Sequence, residues 1–328
     1  MDSNLKNILF INTGGGIGDA LACLPTINYI IANFHPQNIY YYSPLEKFWF
    51  ENKLSEYKPK NLISLKNFPN HFGFKNNHLF LSKDLIKKFN FDKFDLIVDN
   101  QTRFKNSLVY KRIPHKYYVS PCLNYLISNP LKLLRKENQF ALRVVNYFNK
   151  IKKINNNPIY KIDIPKNFLK EAQRLIPNKN FIGFSITAGN PYRKKEFNLK
   201  EIIKVANYYS KTFIPTFFVE KDKLDLINIL KKEVNKCYIP EEEALEDLRK
   251  PILITALGML TNFNISINNG ISHMLSFSNN KNYIFFNEQS EKWKPANNLS
   301  FLYDCKKNNT EIDKLTSEQI IDFIKKIK

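Results

Sequence analysis

Short β-rich apolar runs alternate with helix-length amphipathic segments along this chain of 328 residues, and the series starts twice. In the first half the strand candidates are "NILFIN" (7–12), "NIYYYS" (38–43), "DLIVDN" (95–100) and "KYYVS" (116–120). Helices are expected near 19–33, 82–89 and 102–112, and 121–153 reads as helical with an interruption at Pro130. The stretch "NNNPIYKIDIP" (155–165) carries asparagines, two prolines and no helical period, which marks a linker. The second series has strands "FIGFSI" (181–186), "FIPTFFV" (213–219), "CYI" (237–239), "NISIN" (264–268) and "YIFF" (283–286). Its helices are expected over 198–211, after 219, over 244–260, from Gly270 and over 317–327. Such alternation is the signature of parallel α/β architecture. Two series of similar size predict two Rossmann-like domains, 1–160 and 161–328, facing each other across a cleft. Ligands of such sheets bind beyond the carboxyl ends of the strands.

The first strand runs straight into a glycine loop. Four of the chain's nine glycines, Gly14, Gly15, Gly16 and Gly18, fall within five positions, and Asp19 follows at once. A nucleoside-triphosphate loop needs G-x-x-x-x-G-K-[ST]; Asp19 stands where lysine belongs, which removes that reading. A dinucleotide fingerprint needs G-x-G-x-x-G and an acid at the end of the second strand. The spacing here is G-x-G-x-G, and the second strand ends at Ser43 with no carboxylate, so an NAD-dependent oxidoreductase is disfavoured and no cofactor is expected. What remains is a loop that brings backbone close to a substrate and presents Asp19 on the first turn of a helix. A helix N-terminus favours a carboxylate there, either as a proton acceptor or merely as a cap. A cap alone does not require four glycines before it.

Charge adds a second constraint. The net charge is +20, and from Gln101 to Lys153 there are twelve Lys or Arg against one acid, Glu137. Codon bias explains a lysine-rich chain but not a one-sided block, which reads as a footprint for an anionic partner. No RRM, KH or helix-turn-helix signature accompanies it, so nucleic acid is not the expected partner. The four cysteines are far apart with no C-x-x-C pair, which suggests neither zinc nor a disulfide framework. The N-terminus lacks a signal-peptide layout, and no stretch has about 18 uninterrupted apolar residues. A cytoplasmic protein, touching the inner membrane at most peripherally, is expected. No Asp/Glu/His/Cys cluster with metal-ligand spacing and no strand-end D-x-D is seen, "DKFD" (92–95) being spaced wrongly, so the site is expected to be metal-independent.

"ILFINTGGGIGDALACLPTINYI" resembles the opening of the lipopolysaccharide heptosyltransferases, glycosyltransferase family nine. The likeness continues in "FDLIVDNQTRFKNSLVYKRI" (94–113), "FIGFSITAGNPYRKKEFNLKEI" (181–202) and "FNISINNGISHMLSF" (263–277). These four segments lie in order over most of the chain.

The resemblance implies a GT-B fold and an inverting transfer of heptose or a related sugar from a nucleoside diphosphate to an envelope glycan. The acceptor it implies is an anionic glycolipid or glycan on the N-terminal domain, with the donor on the C-terminal one. Asp19 matches the family's Gly-Asp position and takes the role of base. Lys195 matches the lysine of the family's Lys-x-Trp-Pro segment and would contact the diphosphate. Arg193 and Lys194 adjoin it, and the functional cation is left among the three. Phe197 supplies the aromatic, and Asn198 replaces the proline. Ser185, Thr187 and Gly189 sit in the same loop. Asn269 takes the family's Ser/Thr position, Gly270 opens a helix whose N–H groups suit a phosphate, and His273 matches the family's histidine. That histidine is equally readable as a packed core residue. Glu220 and Asp222, after strand 213–219, are the candidates for the ribose. Asn268 stands where the family usually has an acid, and Asn287-Glu288 where it has Gly-Pro. The alternative to the enzyme is a non-catalytic member that binds nucleotide sugar.

Overall fold

The computed structural model describes residues 5–12, 14–43, 47–65, 86–132, 134–135, 137–187 and 196–327. The chain divides into two compact units, Met1–Lys161 and Ile162–Lys328. Each is built on one parallel five-stranded sheet.

In the first unit the elements are β1 (Asn7–Ile11), α1 (Ile17–Phe34), β2 (Asn38–Tyr42), β3 (Leu62–Ser64), β4 (Phe94–Asp99), α2 (Phe104–Lys111), β5 (His115–Val119) and α3 (Phe140–Lys152). The sheet order is β3-β2-β1-β4-β5. β1 lies at its centre because its run Ile8–Ile11 is fully buried, as a strand covered on both faces must be. Ile11 is in register with Tyr42 on one side and Asp99 on the other, which brings the ends of β2 and β4 beside the glycine loop. α1 is the one described helix long and apolar enough to cross a membrane. In this fold it is a core helix, burying Leu21, Cys23, Leu24, Ile27 and Ile30. Thr26 donates to the Ala141 carbonyl, and Tyr29 donates to Asn149, so polar contacts fix α3 against it.

Two expectations fail in this unit. The segment 121–153 is helical only from Phe140; before that, Cys122–Tyr125 is a 3-10 turn. Leu123, Asn124 and Tyr125 all take left-handed φ there, which no helix accommodates. β3 was not foreseen, being three residues on a sheet edge. Of the helix expected over 82–89, residues 82–85 lie outside the described residues and Ile86–Lys88 is a 3-10 turn.

The second unit contains α4 (Lys166–Leu175), β6 (Phe181–Ser185), α5 (Leu199–Tyr209), β7 (Ile214–Phe217), α6 (Leu224–Glu233), α7 (Pro240–Glu243), α8 (Pro251–Leu260), β8 (Asn264–Ile267), α9 (Gly270–Leu275), β9 (Asn282–Phe286), α10 (Ser290–Trp293), β10 (Ser300–Asp304) and α11 (Ser317–Lys326). The order is β10-β9-β8-β6-β7. The expected strand 237–239 is only a single bridge between Tyr238 and Thr216. The helix expected over 244–260 begins at Pro251, because proline lacks the N–H an interior turn needs but suits the first helical position. β10 and α10 were not anticipated.

Three positions that depart from the pattern the resemblance implies, 197, 198 and 287, have local partners here. Asn198 caps α5, its Oδ1 accepting from Lys200 N at 3.0 Å. Such a cap contributes about 1 kcal/mol. Phe197 is buried and packs edge-on against Phe285. Asn287 Oδ1 accepts from Ile312 N at 2.7 Å, pinning the segment that leads to α11.

Candidate functional site

In the first unit the site grows from the end of β1. Asn12 is buried; its Nδ2 donates to the Tyr41 hydroxyl at 2.6 Å and its Oδ1 accepts from Gly14 N at 2.9 Å. The chain then turns into α1 at Gly16, and Asp19 reaches back so that its Oδ2 accepts from Gly16 N at 2.9 Å. The glycines are explained by this carboxylate. A Cβ on Gly14 would lie 2.3 Å from Asp19 Cγ, and one on Gly16 would lie 3.1 Å from Asp19 Oδ2. No described glycine takes a positive φ, so Gly14 and Gly16 supply room and not a left-handed backbone. Gly15 and Gly18 are partly exposed. The Gly15 carbonyl accepts from the indole Nε1 of Trp49 at 3.2 Å.

Asp19 is partly exposed, and Oδ2 is the carboxylate oxygen it commits among the described residues. Its charge is felt one turn along the helix. Burial raises the Cys23 thiol well above its ordinary value, and Asp19 adds to that. Burial likewise raises the Tyr41 phenol, with Cys23 and Asp19 contributing, while the bond to Asn12 opposes them.

The end of β4 holds residues that sequence reasoning did not single out. Asp99 is fully buried, and no cation among the described residues offsets its charge. Its Oδ2 accepts from Ser107 Oγ at 2.6 Å and from Tyr118 OH at 2.8 Å, and its Oδ1 accepts from Gln101 N at 3.4 Å. Burial pushes this carboxyl up to about 6, against the pull of those hydrogen bonds. The available signal was the second aspartate of "DLIVDNQ", at a strand's carboxyl end.

In the second unit, the ends of β6 and β8 are tied by one side chain. Asn269 caps α9 through Oδ1, which accepts from Ser272 N at 2.9 Å. Its Nδ2 donates to Ser185 Oγ and to the Thr187 carbonyl, each at 2.8 Å. The amide is thus committed inside the protein, holding the start of the loop after β6. Gly270 opens the six-residue α9, and His273 is buried within it. Gly189, Arg193, Lys194 and Lys195 lie outside the described residues. Glu220 and Asp222 are exposed in the turn after β7. Near them is a carboxyl not anticipated from sequence, Glu241, raised by burial and by the charge of Glu220, with Arg249 opposing.

The basic block resolves into two kinds of residue. Arg103, Lys105, Arg112, Lys116, Lys132 and Arg135 are exposed. Arg143 is only 5% exposed: Nε and Nη2 donate to the carbonyls of Glu137 and Asn138, and the guanidinium lies over Phe140. Lys152 donates to the Asn33 carbonyl and sits over Phe34. These two cations are structural. Among the described residues no group of three or more His, Cys, Asp or Glu is placed to hold a metal ion.

Comparison with solved structures settles the architecture. A family nine glycosyltransferase from Veillonella parvula superposes with a TM-score of 0.67 at 15% identity, covering 99% of this chain and 98% of its own. The fold is that of the family nine glycosyltransferases. E. coli heptosyltransferase WaaC with ADP-2-deoxy-2-fluoro heptose gives 0.64 at 13% identity over 98% of this chain and 100% of that one. E. coli ADP-heptose lps heptosyltransferase II gives 0.62 at 14%, covering 97% of each. No family model matches the sequence, and no curated protein matches it. The GT-B class, with two Rossmann-like units, is therefore established by structure.

Proposed function

We propose that the chain is an inverting glycosyltransferase that moves heptose or a related sugar from a nucleoside diphosphate to a phosphorylated envelope saccharide. The observation that carries this reading is the carboxylate of Asp19, held at a helix N-terminus by loop glycines that leave room for little else. In the reaction, the acceptor hydroxyl attacks the anomeric carbon from the face opposite the diphosphate. Its oxygen forms the new glycosidic bond, its proton passes to Asp19, and the bond to the diphosphate oxygen breaks. A positioned base of this kind contributes typically ~10²–10⁴-fold.

Charge on the departing diphosphate needs donors already in place. Lys195, with Arg193 and Lys194 beside it, is assigned to that role, along with the loop backbone at Ser185, Thr187, Gly189 and Gly270. Asn269 holds the loop's first residues, and His273 lies in the same segment. Glu220 and Asp222 are assigned to the ribose. None of these steps calls on a metal or a cofactor.

The acceptor is assigned to the first unit, and with it contact with an anionic membrane face on the cytoplasmic side. Supporting this, Phe104, Leu123 and Leu126 are 43%, 51% and 44% exposed, and Arg103, Lys105 and Lys116 of the same unit are exposed too. α2 packs on the turn that carries Leu123. Exposed apolar side chains and exposed cations on one unit suit an interfacial seat. One observation favours the second reading, a binder that does not transfer: Asn268 occupies the family's acidic position and cannot carry charge. Incubation with a panel of nucleotide sugars decides. Release of nucleoside diphosphate with transfer to a saccharide supports the enzyme; tight nucleotide-sugar binding without turnover supports the binder.

A further inference from the structure

Two features flank the Asp19 loop, one on each side of β1, and the assigned chemistry uses neither. On the β2 side, Phe50 is buried edge-on against Tyr41, which anchors the 3-10 turn Trp49–Glu51. Trp49 itself stays partly exposed, its indole N–H fixed to the Gly15 carbonyl. The Lys47 ammonium lies 5.8 Å from the ring centroid. An indole held rigid at the rim of a polar loop offers a flat apolar face at low entropic cost, which matches the C–H face of a sugar ring.

On the β4 side, Asn100 is 3% exposed, and neither Oδ1 nor Nδ2 has a hydrogen-bond partner among the described residues. Because Ile11 pairs with Asp99, strand alternation carried one residue further puts Asn100 on the sheet face of Asn12 and its partner Tyr41, whose phenol feels the charge of Asp19. A buried amide left wholly unpaired is costly and rare in native proteins. The turn that presents it is held from below: Gln101 N donates to Asp99, which Ser107 and Tyr118 lock in place.

We propose that Trp49 and Asn100 form the sugar-recognition subsite for the acceptor, Trp49 stacking on a ring and Asn100 pairing with its hydroxyls beside Asp19. This rests on the transferase reading for the word acceptor, but the saccharide site can be tested without it. The chain has two tryptophans, so a Trp293→Phe variant leaves Trp49 as the sole reporter. Its emission is followed while free mono- and oligosaccharides, phosphorylated ones included, are added to high millimolar concentration. A saturable change in Trp293→Phe that Asn100→Ala weakens about tenfold is expected, the size of one lost hydrogen bond to a buried group. Asn100→Ala also removes two unpaired polar atoms, so its thermal midpoint should hold or rise while binding falls. A merely structural asparagine would do the reverse. Where turnover is measurable, Trp49→Leu and Asn100→Ala should each raise acceptor KM by about that factor and leave donor KM unchanged. Trp49→Phe, which keeps a ring but loses the tie to Gly15, should lower kcat more than it raises KM. No response of Trp49 to any saccharide, or transfer with unaltered acceptor KM in Asn100→Ala, overturns the subsite. Failure to turn over any nucleotide sugar, with a normal Trp49 response, overturns the transferase reading instead.

Discussion

Replacing Gly14 by alanine tests the claim that the glycine loop exists to house a carboxylate. The new Cβ would fall 2.3 Å from Asp19 Cγ and 2.4 Å from Asp19 Cβ, inside any permitted contact. Asp19 is short and sits in the first turn of α1, so relief requires its χ1 to leave the present well. The carboxylate then loses its bond to Gly16 N, a charge-assisted contact of about 1.5–3 kcal/mol. In a unit of this size each kcal/mol shifts the melting midpoint by about 2–4 °C. The displaced base should also cost turnover roughly 10²–10⁴-fold, as loss of a general base does. Gly16→Ala is the internal control. Its Cβ would meet Asp19 Oδ2 at 3.1 Å, which a shift of a few tenths of an ångström relieves, and Asp19 Cγ at an ordinary 3.9 Å. It should therefore cost far less in both measures. Transfer rates and thermal denaturation of the two variants, side by side, decide it. Gly14→Ala with wild-type turnover and midpoint would refute the reasoning.

Three further outcomes follow from the same geometry. Asp99 has a carboxyl raised from 3.8 to about 6 in the folded state, so the fold binds more protons than the unfolded chain between those values and loses stability as pH rises through them. The difference in unfolding free energy between wild type and Asp99→Asn should change by about 2 kcal/mol between pH 4 and 7, at about 1.4 kcal/mol per pKa unit; a pH-independent difference would contradict it. Charge reversal at Arg103, Lys105 and Arg135 should abolish salt-sensitive sedimentation with anionic lipid vesicles and spare nucleotide binding, whereas equal binding to neutral vesicles would exclude the seat. Arg143 is not used there, since its burial makes any substitution a folding lesion. Lys195→Ala should weaken donor binding and slow transfer together; an effect confined to Lys194 or Arg193 moves the diphosphate contact to that residue, and none at all three removes it from the loop.

The central strands were legible because nearly all of their residues are buried on both faces: β1, β4, β6 and β9 hold apolar runs of three or more residues, and β8 alternates isoleucine with Asn and Ser between clear helix signals. The edges were not. β3 is three residues long, and β10 leaves most of its side chains partly exposed, so neither carries that signal. The false helix before Phe140 has a clear cause. Its composition is helical, but left-handed backbone at Leu123, Asn124 and Tyr125 overrides propensity. Within the site, Asp19 and its glycines could be read because they are neighbours in sequence. Trp49 against Gly15, and Asn100 beside Asn12, are brought together only by strand order. The residue type of Asn269 suggests a ligand contact and gives no hint that both ends of its amide are held by Ser272, Ser185 and Thr187.

The account turns on Asp19 as the base, and Asp19→Asn tests it most directly. The change is isosteric: the asparagine oxygen still accepts from Gly16 N, and no new atom crowds Gly14. Nucleotide-sugar affinity by calorimetry and single-turnover transfer should be measured on the same preparation. The account predicts unchanged affinity and midpoint with transfer slowed by about two to four orders of magnitude. Transfer at near the wild-type rate would contradict it and leave Asp19 as a helix cap.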